Sequence, residues 1–274
     1  AVDDSTLTFA NDAHVTRSFI WDHARILGPG TIVIEPSRQV ESHFGAGVPL
    51  EIVVENNGVF EFDHLLIAET GGVINNAVLD WDVTTQKTIE GTLGVSPTPS
   101  FVNNGVLNKT GVGSLVFGGT FTPITLHNNG HIEISQGILE ISQTFHNDGL
   151  LSAASGTWLR WEGSSFHTPD SQLDIAGTLS ISPFPDDAVH DLVGDVVLTG
   201  TLAIQSGTVT LHHAITPGAP IVLERGTLRT DADQDWPAGL HLCCGSSIGG
   251  TPTGAGNITL GGTSIFRGTM SGSG

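Results

Sequence analysis

The sequence predicts an all-β fold, a parallel β-helix (β-solenoid) of about 12 coils with roughly 19–28 residues each. A short Asn-Asn-Gly phrase recurs along the chain, and apolar residues alternate with polar ones between its copies. The composition, with 36 Gly and only 14% charged residues, favours strands and tight turns over helices. A turn phrase that returns at such intervals indicates a chain that coils on itself.

The Asn-Asn-Gly phrase marks one corner of each coil. Its second polar residue and its glycine are Asn57 and Gly58, Asn104 and Gly105, Asn129 and Gly130, and Asp148 and Gly149. A degenerate copy, with Asn76 and Ala77, lies between the first two, so successive steps are 19, 28, 25 and 19 residues. Asn side chains stacked at successive corners are expected to form a hydrogen-bonded ladder along the rod.

The coil after Gly130 shows the predicted strand pattern most clearly. Ile132 and Ile134 point inward, Gly137 turns a corner, and Leu139 and Ile141 point inward again. Nineteen residues later the same pattern continues until Arg160 falls where an apolar residue is expected. Either a bulge shifts the strand there, or residues 158–161 face differently.

A second glycine corner recurs in the later coils as Gly-Thr-Leu or a close variant. Its glycines are Gly137, Gly156, Gly177, Gly200 and Gly226. We expect these glycines to adopt a positive φ, which glycine tolerates at little cost.

The N-terminal residues 1–50 are predicted to form entering coils or a cap, and residues 51–274 the β-helix repeats. The stretch from Asn11 to Ile26 is the best place for a short helix or an irregular cap. The chain is expected to be a segment of a longer protein, because it starts without Met and stops in mid-pattern.

Residues 106–119 carry a family resemblance. They read Leu107-x-Lys109-x-Gly111-x-Gly113-x-Leu115-x-Phe117, which resembles the autotransporter-associated strand repeat, whose pattern is Leu-x-Lys-x-Gly-x-Gly-x-Leu-x-Leu. The resemblance implies a right-handed parallel β-helix of the kind that forms extended passengers or adhesin stalks of bacterial surface proteins. It implies no catalytic residues.

Charge and hydropathy narrow the function classes. Nine Lys and Arg against 28 Asp and Glu give a net charge of −19, so binding to nucleic acid or to anionic membranes is disfavoured. No run of about 18 apolar residues is present, and we expect no membrane insertion in this segment. An extracellular or cell-surface location fits this acidic, lysine-poor composition.

Two sets of residues suggest ion or redox chemistry. Asp231, Asp233 and Asp235 are spaced like the start of a calcium loop, so calcium is the one candidate cofactor; a solvated acidic loop is the alternative. The adjacent Cys243 and Cys244 predict either a vicinal disulfide, which would present a flat hydrophobic face, or two packed thiols.

Other residues suggest carbohydrate or metal chemistry. Asn108 and Asn257 begin N-glycosylation triplets, and His127 and His146, 19 residues apart, could stack as a metal-binding pair or as a polar ladder. Asp80 and Asp82 are candidate carboxylates of a glycan-cleaving site. Four tryptophans could either stack on sugars or fill the core: Trp81, Trp158, Trp161 and Trp236.

The resulting functional prediction is a non-enzymatic extracellular structural β-solenoid, acting as an adhesin stalk or a self-assembling surface fibre segment. Its expected partners are other copies of itself, associating end to end or laterally, or glycans of a host surface. The alternative is a polysaccharide-degrading β-helix enzyme or a tail-spike-like glycan-binding protein. An ice-binding face is weaker, because the Thr residues are irregularly spaced.

Overall fold

The computed structural model describes residues 2–3, 6–22, 25–43, 49–62, 64–68, 71–91, 98–119, 123–182, 188–215, 217–250, 252–253, 258–260 and 265–268. Over these ranges the fold is all-β, without helix, and every strand pairing is parallel. The strands stack as a β-solenoid of about ten turns, slightly fewer than predicted.

The first half of the chain contains β1 (Val2–Asp3), β2 (Thr6–Thr8), β3 (Ala13–Val15), β4 (Phe19–Asp22), β5 (Arg25–Ile34), β6 (Gln39–His43), β7 (Pro49–Asn56), β8 (Val59–Phe62), β9 (His64–Ile67), β10 (Gly72–Asn75), β11 (Val78–Asp82), β12 (Gln86–Gly91), β13 (Ser100–Asn103), β14 (Val106–Thr110), β15 (Ser114–Phe117), β16 (Thr125–Asn128) and β17 (His131–Ile134). The second half contains β18 (Ile138–Ile141), β19 (Phe145–Asn147), β20 (Leu150–Ala153), β21 (Trp158–Trp161), β22 (Ser165–His167), β23 (Gln172–Ile175), β24 (Thr178–Ile181), β25 (Val189–Leu192), β26 (Asp195–Leu198), β27 (Thr201–Ile204), β28 (Thr208–Leu211), β29 (Ile221–Leu223), β30 (Thr227–Thr230), β31 (Gln234–Asp235), β32 (Leu240–Leu242), β33 (Ser247–Gly250), β34 (Pro252–Thr253), β35 (Ile258–Leu260) and β36 (Ile265–Gly268).

Most coils contribute one strand to each of three faces. Face A leads into the Asn corner and contains β3, the C-terminal parts of β5 and β7, then β10, β13, β16, β19, β22, β25, β28, β30, β33 and β36. Face B follows that corner and contains β1, β4, β6 and β8 in one sheet and β11, β14, β17, β20, β23 and β26 in another. Face C contains β2, the N-terminal parts of β5 and β7, then β9, β12, β15, β18, β21, β24, β27, β29, β32 and β35.

The core is a shaft of apolar side chains stacked coil on coil. On face B, Leu107 pairs with Ile132, and Ile132 pairs with Leu151. All three are fully buried, and each such side chain contributes about 1.5–3 kcal/mol by leaving water. The predicted alternation of inward apolar residues is confirmed in these coils.

The shift at Arg160 comes from the preceding corner. Ile138 pairs with Trp158 and Ile141 with Trp161, a step of 20 residues, whereas the face B strands of the same coils are 19 residues apart. The extra residue lies in the corner between Ala153 and Trp158, so Arg160 points outward and Trp161 inward.

One local prediction is wrong, and another is confirmed for only two of its five glycines. Between Asn11 and Ile26 the chain forms β3, β4 and the start of β5 instead of a helix, because the strands of the next coil offer it backbone partners. Gly137 and Gly156 have the expected positive φ of 70° and 81°. Gly177, Gly200 and Gly226 are not among the positive-φ residues; their hydrogen atoms face the neighbouring coil, where a Cβ would clash.

Candidate functional site

The Asn corner carries an internal ladder of buried amides. Five asparagines, each the first of its phrase, are completely buried: Asn56, Asn75, Asn103, Asn128 and Asn147. Each Nδ2 donates to the Oδ1 of the next asparagine, at 2.8, 2.8, 2.8 and 2.7 Å. The same amides donate to backbone carbonyls of the following coil, as Asn103 does to His131 at 3.1 Å. Because buried polar groups must be paired, this ladder fixes the spacing and register of the coils.

A second ladder runs beside it on the surface and contains the predicted corner residues. Asn129 Nδ2 donates to Asn104 Oδ1 at 2.8 Å, Asn104 donates to Asn76 at 2.8 Å, and Asn76 donates to Asn57 at 3.1 Å. The donors point toward the N-terminus, opposite to the internal ladder. The side-chain amide dipoles of the two ladders therefore oppose each other at every corner.

The glycines of this corner are required by close stacking. A Cβ on Gly130 would lie 2.1 Å from the carbonyl oxygen of Gly105, and one on Gly149 would lie 2.0 Å from that of Gly130. Neither glycine has a positive φ. Gly58 and Gly105 face backbone oxygens at 2.4 and 2.1 Å in the same way.

Lys109, in the repeat-like segment, is a fully buried cation. Its Nζ donates to the carbonyls of Gly111 at 2.6 Å, Gln136 at 2.9 Å and Thr110 at 3.1 Å. Burial lowers the pKa of Lys109 from 10.5 to about 8, against the opposing effect of Asp82. The side chain thus joins the glycine corners of two consecutive coils.

A buried polar cluster takes over where the internal ladder ends. Asn147 Nδ2 lies 3.4 Å from His167 Nδ1, and Ser165 Oγ lies 2.9 Å from His190 Nδ1. Burial lowers the pKa of His167 from 6.5 to about 3, with a further lowering from His190, and burial lowers the pKa of His190 to about 4. Both imidazoles are therefore neutral at pH 7 and act as hydrogen-bonding core groups.

The predicted His127–His146 pair is a stacked surface column. The two rings lie 4.8 Å apart at 8°, and Phe166 extends the stack at 5.1 Å and 18°. Burial and then the neighbouring His146 lower the pKa of His127, whereas Asp148 raises it.

A mixed-charge cluster lies at the end of face C on two consecutive coils. Arg160 donates to Glu140 at 2.9 Å, and Ser142 Oγ lies 3.2 Å from Glu140 Oε1 and 3.0 Å from Glu162 Oε2. Burial and the nearby Glu140 raise the pKa of Glu162, and Ser142 and Arg160 oppose this shift. Trp158, 44% exposed, precedes Arg160 on the same outward side of β21.

The four candidate tryptophans separate into two groups. Trp81, Trp161 and Trp236 are buried core residues, and Trp158 is the exposed one. Asp80 and Asp82 project outward from β11 on either side of Trp81, and Asp80 accepts a hydrogen bond from Asn108 at 2.6 Å. Asn108 thus lies on outward face B, half-buried, whereas Asn257 lies outside the described residues.

Cys243 and Cys244 form the vicinal disulfide that was one of the two predicted alternatives. The bridge lies in the corner between β32 and β33 and borders a surface cavity of about 300 Å³.

The calcium prediction gains no support from the acidic loop. Asp231 pairs with His212, whose Nδ1 lies 2.8 Å from Asp231 Oδ2, and Asp233 is exposed. The side chain of Asp235 lies outside the described residues. Across the side chains that the structure describes, no group of three or more His, Cys, Asp or Glu is placed to hold a metal ion.

Comparisons with known proteins give no match to any family model, curated protein or solved structure. Within the described ranges, no helix is long and apolar enough to cross a bilayer.

Sequence reasoning missed three of these features. The predicted ladder of corner asparagines is confirmed on the surface, but the internal ladder, formed by the first asparagine of each phrase, was not predicted. Strand alternation from Leu126 to Asn128 carries that signal. Sequence reasoning gave no role to Lys109, and it did not pair Glu140 with Arg160, which requires the 20-residue step.

Proposed function

We propose that this chain is a non-enzymatic extracellular structural β-solenoid that serves as a stalk or fibre segment of a surface protein. The observation that supports this most strongly is the parallel register that continues from coil to coil, from β2 pairing with β5 to β33 pairing with β36. A chain whose backbone hydrogen bonds run along the axis of the rod is suited to forming a long structure that carries mechanical load.

Rigidity follows from the number of connections between coils. Backbone ladders on three faces and two amide ladders at one corner must all deform before the rod bends. At about 4.8 Å per coil, ten turns give a rod about 50 Å long. The function then depends on the length and stiffness of the rod.

The disulfide supports the extracellular part of the proposal. Disulfides persist in oxidising compartments and are rare in the reducing cytosol. Cys243 and Cys244 are bonded, and the described residues contain no free cysteine.

Self-association is tested by electron microscopy of the purified chain across concentrations. The strand edge of β36 that faces away from β33 can template another copy. We expect filaments or end-to-end pairs of rods, which Gly268→Pro shortens by removing a backbone donor that faces away from β33 and Gly268→Ala, which keeps that donor, does not. Isolated particles at every concentration would reject self-assembly, and a particle that is not elongated would reject the stalk itself.

A second candidate function, glycan cleavage, is favoured by the cluster on face C. Glu140 and Glu162 approach one hydroxyl group, that of Ser142, and Arg160 is paired with Glu140. This places their carboxyl oxygens within about 6 Å of each other, and retaining glycosidases hold theirs about 5–5.5 Å apart. In this role Glu162, with its raised pKa, donates a proton to the leaving oxygen and Glu140 attacks the sugar.

A panel of plant and bacterial polysaccharides decides between the two functions. The enzyme would be established, and the non-enzymatic proposal rejected, by three results together: the wild-type chain releases reducing ends, Glu162→Gln does not, and Glu133→Gln still does. Glu133 is the matched control because its carboxylate lies on face B. No release from any polysaccharide leaves the structural function as the one that stands.

A further inference from the structure

The vicinal disulfide and its cavity form a surface feature that a structural rod does not require. The cavity lies between two consecutive corners of the solenoid, one after β29 and one after β32. Its volume of about 300 Å³ is at the lower end of the range for small-molecule sites. It is lined by Val222, Glu224, Arg225, His241, Cys243 and Cys244.

Stability does not account for a bridge between adjacent cysteines. A disulfide stabilises a fold mainly by restricting the unfolded chain, and the effect grows with the length of the loop that it closes. Cys243 and Cys244 are one residue apart, so their bond removes very little chain entropy. What the bond does change is the local surface.

That surface is an apolar platform held at a fixed position. The Cys243 amide donates to the carbonyl of Leu223 on the previous coil at 2.8 Å, and Ser246 donates to the Cys243 carbonyl at 3.2 Å. Cys244 is exposed and has a φ of 63°. A disulfide has no hydrogen-bond donor and replaces two thiols by a single apolar group, so it can pack against the C–H face of a ring.

Polar groups lie around this platform. Val222 and His241 are register partners on neighbouring strands of face C, and His241 is exposed. Glu224 and Arg225 project from the opposing corner, are both exposed, and have no salt-bridge partner among the described residues. The chain as a whole is acidic, with 9 basic and 28 acidic residues. The unpaired guanidinium of Arg225 is a local exception to that charge and can bind an anion in the cavity.

We propose that this cavity binds one hexuronate unit of an acidic polysaccharide. The sugar ring packs on the disulfide and Val222, its carboxylate pairs with Arg225, and its hydroxyl groups hydrogen-bond to Glu224 and His241. The guanidinium presents a planar pair of donors that matches a carboxylate. Binding at this corner does not depend on rod assembly.

The direct test is calorimetric titration with tetragalacturonate, with the neutral tetramer of galactose as the comparison. We expect saturable binding of the acidic tetramer and at least about tenfold weaker binding of the neutral one, since one charge-assisted contact is lost. Arg225→Gln should weaken uronate binding by a similar factor. Arg229→Gln, which removes an exposed guanidinium from face A, is the matched control and should bind like the wild type.

The platform is tested by opening the disulfide. Reduction with a phosphine, or Cys243→Ser together with Cys244→Ser, should weaken uronate binding at least about tenfold while the far-ultraviolet circular dichroism stays unchanged. Unchanged affinity after reduction, equal affinities of wild type and Arg225→Gln, or no saturable binding up to about 10 mM would each overturn the inference. Electron microscopy of the same samples tests the rod shape separately. Rods that do not bind the tetramer would therefore overturn the proposed uronate site and leave the proposed structural function standing.

Discussion

Replacing Asn103 by alanine tests the internal ladder most sharply, because the neighbouring Asn104 supplies a matched control. Asn103 is completely buried, donates to Asn128 and accepts from Asn75, both at 2.8 Å. Asn104 makes the same two kinds of contact at 2.8 Å, with Asn76 and Asn129, but on the surface.

The expected cost of Asn103→Ala follows from these contacts. The two ladder bonds and the bond to the His131 carbonyl, each with a net value of about 1 kcal/mol, are lost, and the buried Oδ1 of Asn128 loses its donor at about 1–3 kcal/mol. The free energy of unfolding should fall by about 4–6 kcal/mol. For Asn104→Ala water replaces both partners, and the loss should stay below about 1 kcal/mol.

Denaturant unfolding gives the total effect, and hydrogen exchange gives its location. Because a solenoid can unfold in segments, the amides of β13 and β16 should lose protection before those of β27 in Asn103→Ala. Equal destabilisation by the two alanine variants would refute the reasoning, since burial is what separates them.

Three further predictions concern the core and the corners. Acid should destabilise the fold from about pH 6.5 downward. Burial lowers the pKa of His167 to about 3 and that of His190 to about 4, so the unfolded chain binds more protons than the folded chain in this pH range. In His190→Gln the free energy of unfolding should fall less steeply between about pH 7 and pH 5 than in the wild type, and an unchanged pH dependence would contradict this. Lys109→Met should lower the free energy of unfolding by at least about 2 kcal/mol, because three backbone carbonyls lose their cationic donor, and a neutral effect in thermal unfolding would argue against that role. Gly130→Ala places a Cβ 2.1 Å from the Gly105 oxygen and should lower the denaturant midpoint far more than Gly156→Ala. At Gly156 nothing lies within 4 Å of an added Cβ, and the only cost is about 1 kcal/mol for the positive φ. The reverse order would show that close stacking of coils is not the reason for glycine at position 130.

The coil architecture could be predicted because it depends on residue patterns that are local in the sequence. Alternation such as that of Ile132 and Ile134 defines which residues face the core, and the corner phrase supplies the length of each coil. Coil length alone cannot say where an extra residue is absorbed. The corner before Trp158 absorbed one, and that single residue decides that Arg160 meets Glu140.

The candidate sites were harder to predict, because they depend on contacts between coils. To predict which asparagine of each phrase faces the core, one must know which residues of the strand point inward. To predict the role of Gly200, one must know that a Cβ at that position would lie 1.7 Å from the oxygen of Gly177. The choice between a disulfide and free thiols at Cys243 and Cys244 depends on backbone geometry. The cavity beside them involves two corners that are about 20 residues apart in sequence.

Electron–electron distances between spin labels test the stacking of coils most directly. Asp80, Asn108, Glu133, Ser152, Asp174 and Val197 are consecutive register partners on the outer side of face B. In a chain whose native cysteines are replaced, labels at Asp80 and Asp174 are four coils apart and those at Asp80 and Val197 five, so their backbone separations should be about 19 and 24 Å. A distance that increases by about 4.8 Å per coil is the predicted result, and distances that do not increase with coil number would contradict the solenoid itself.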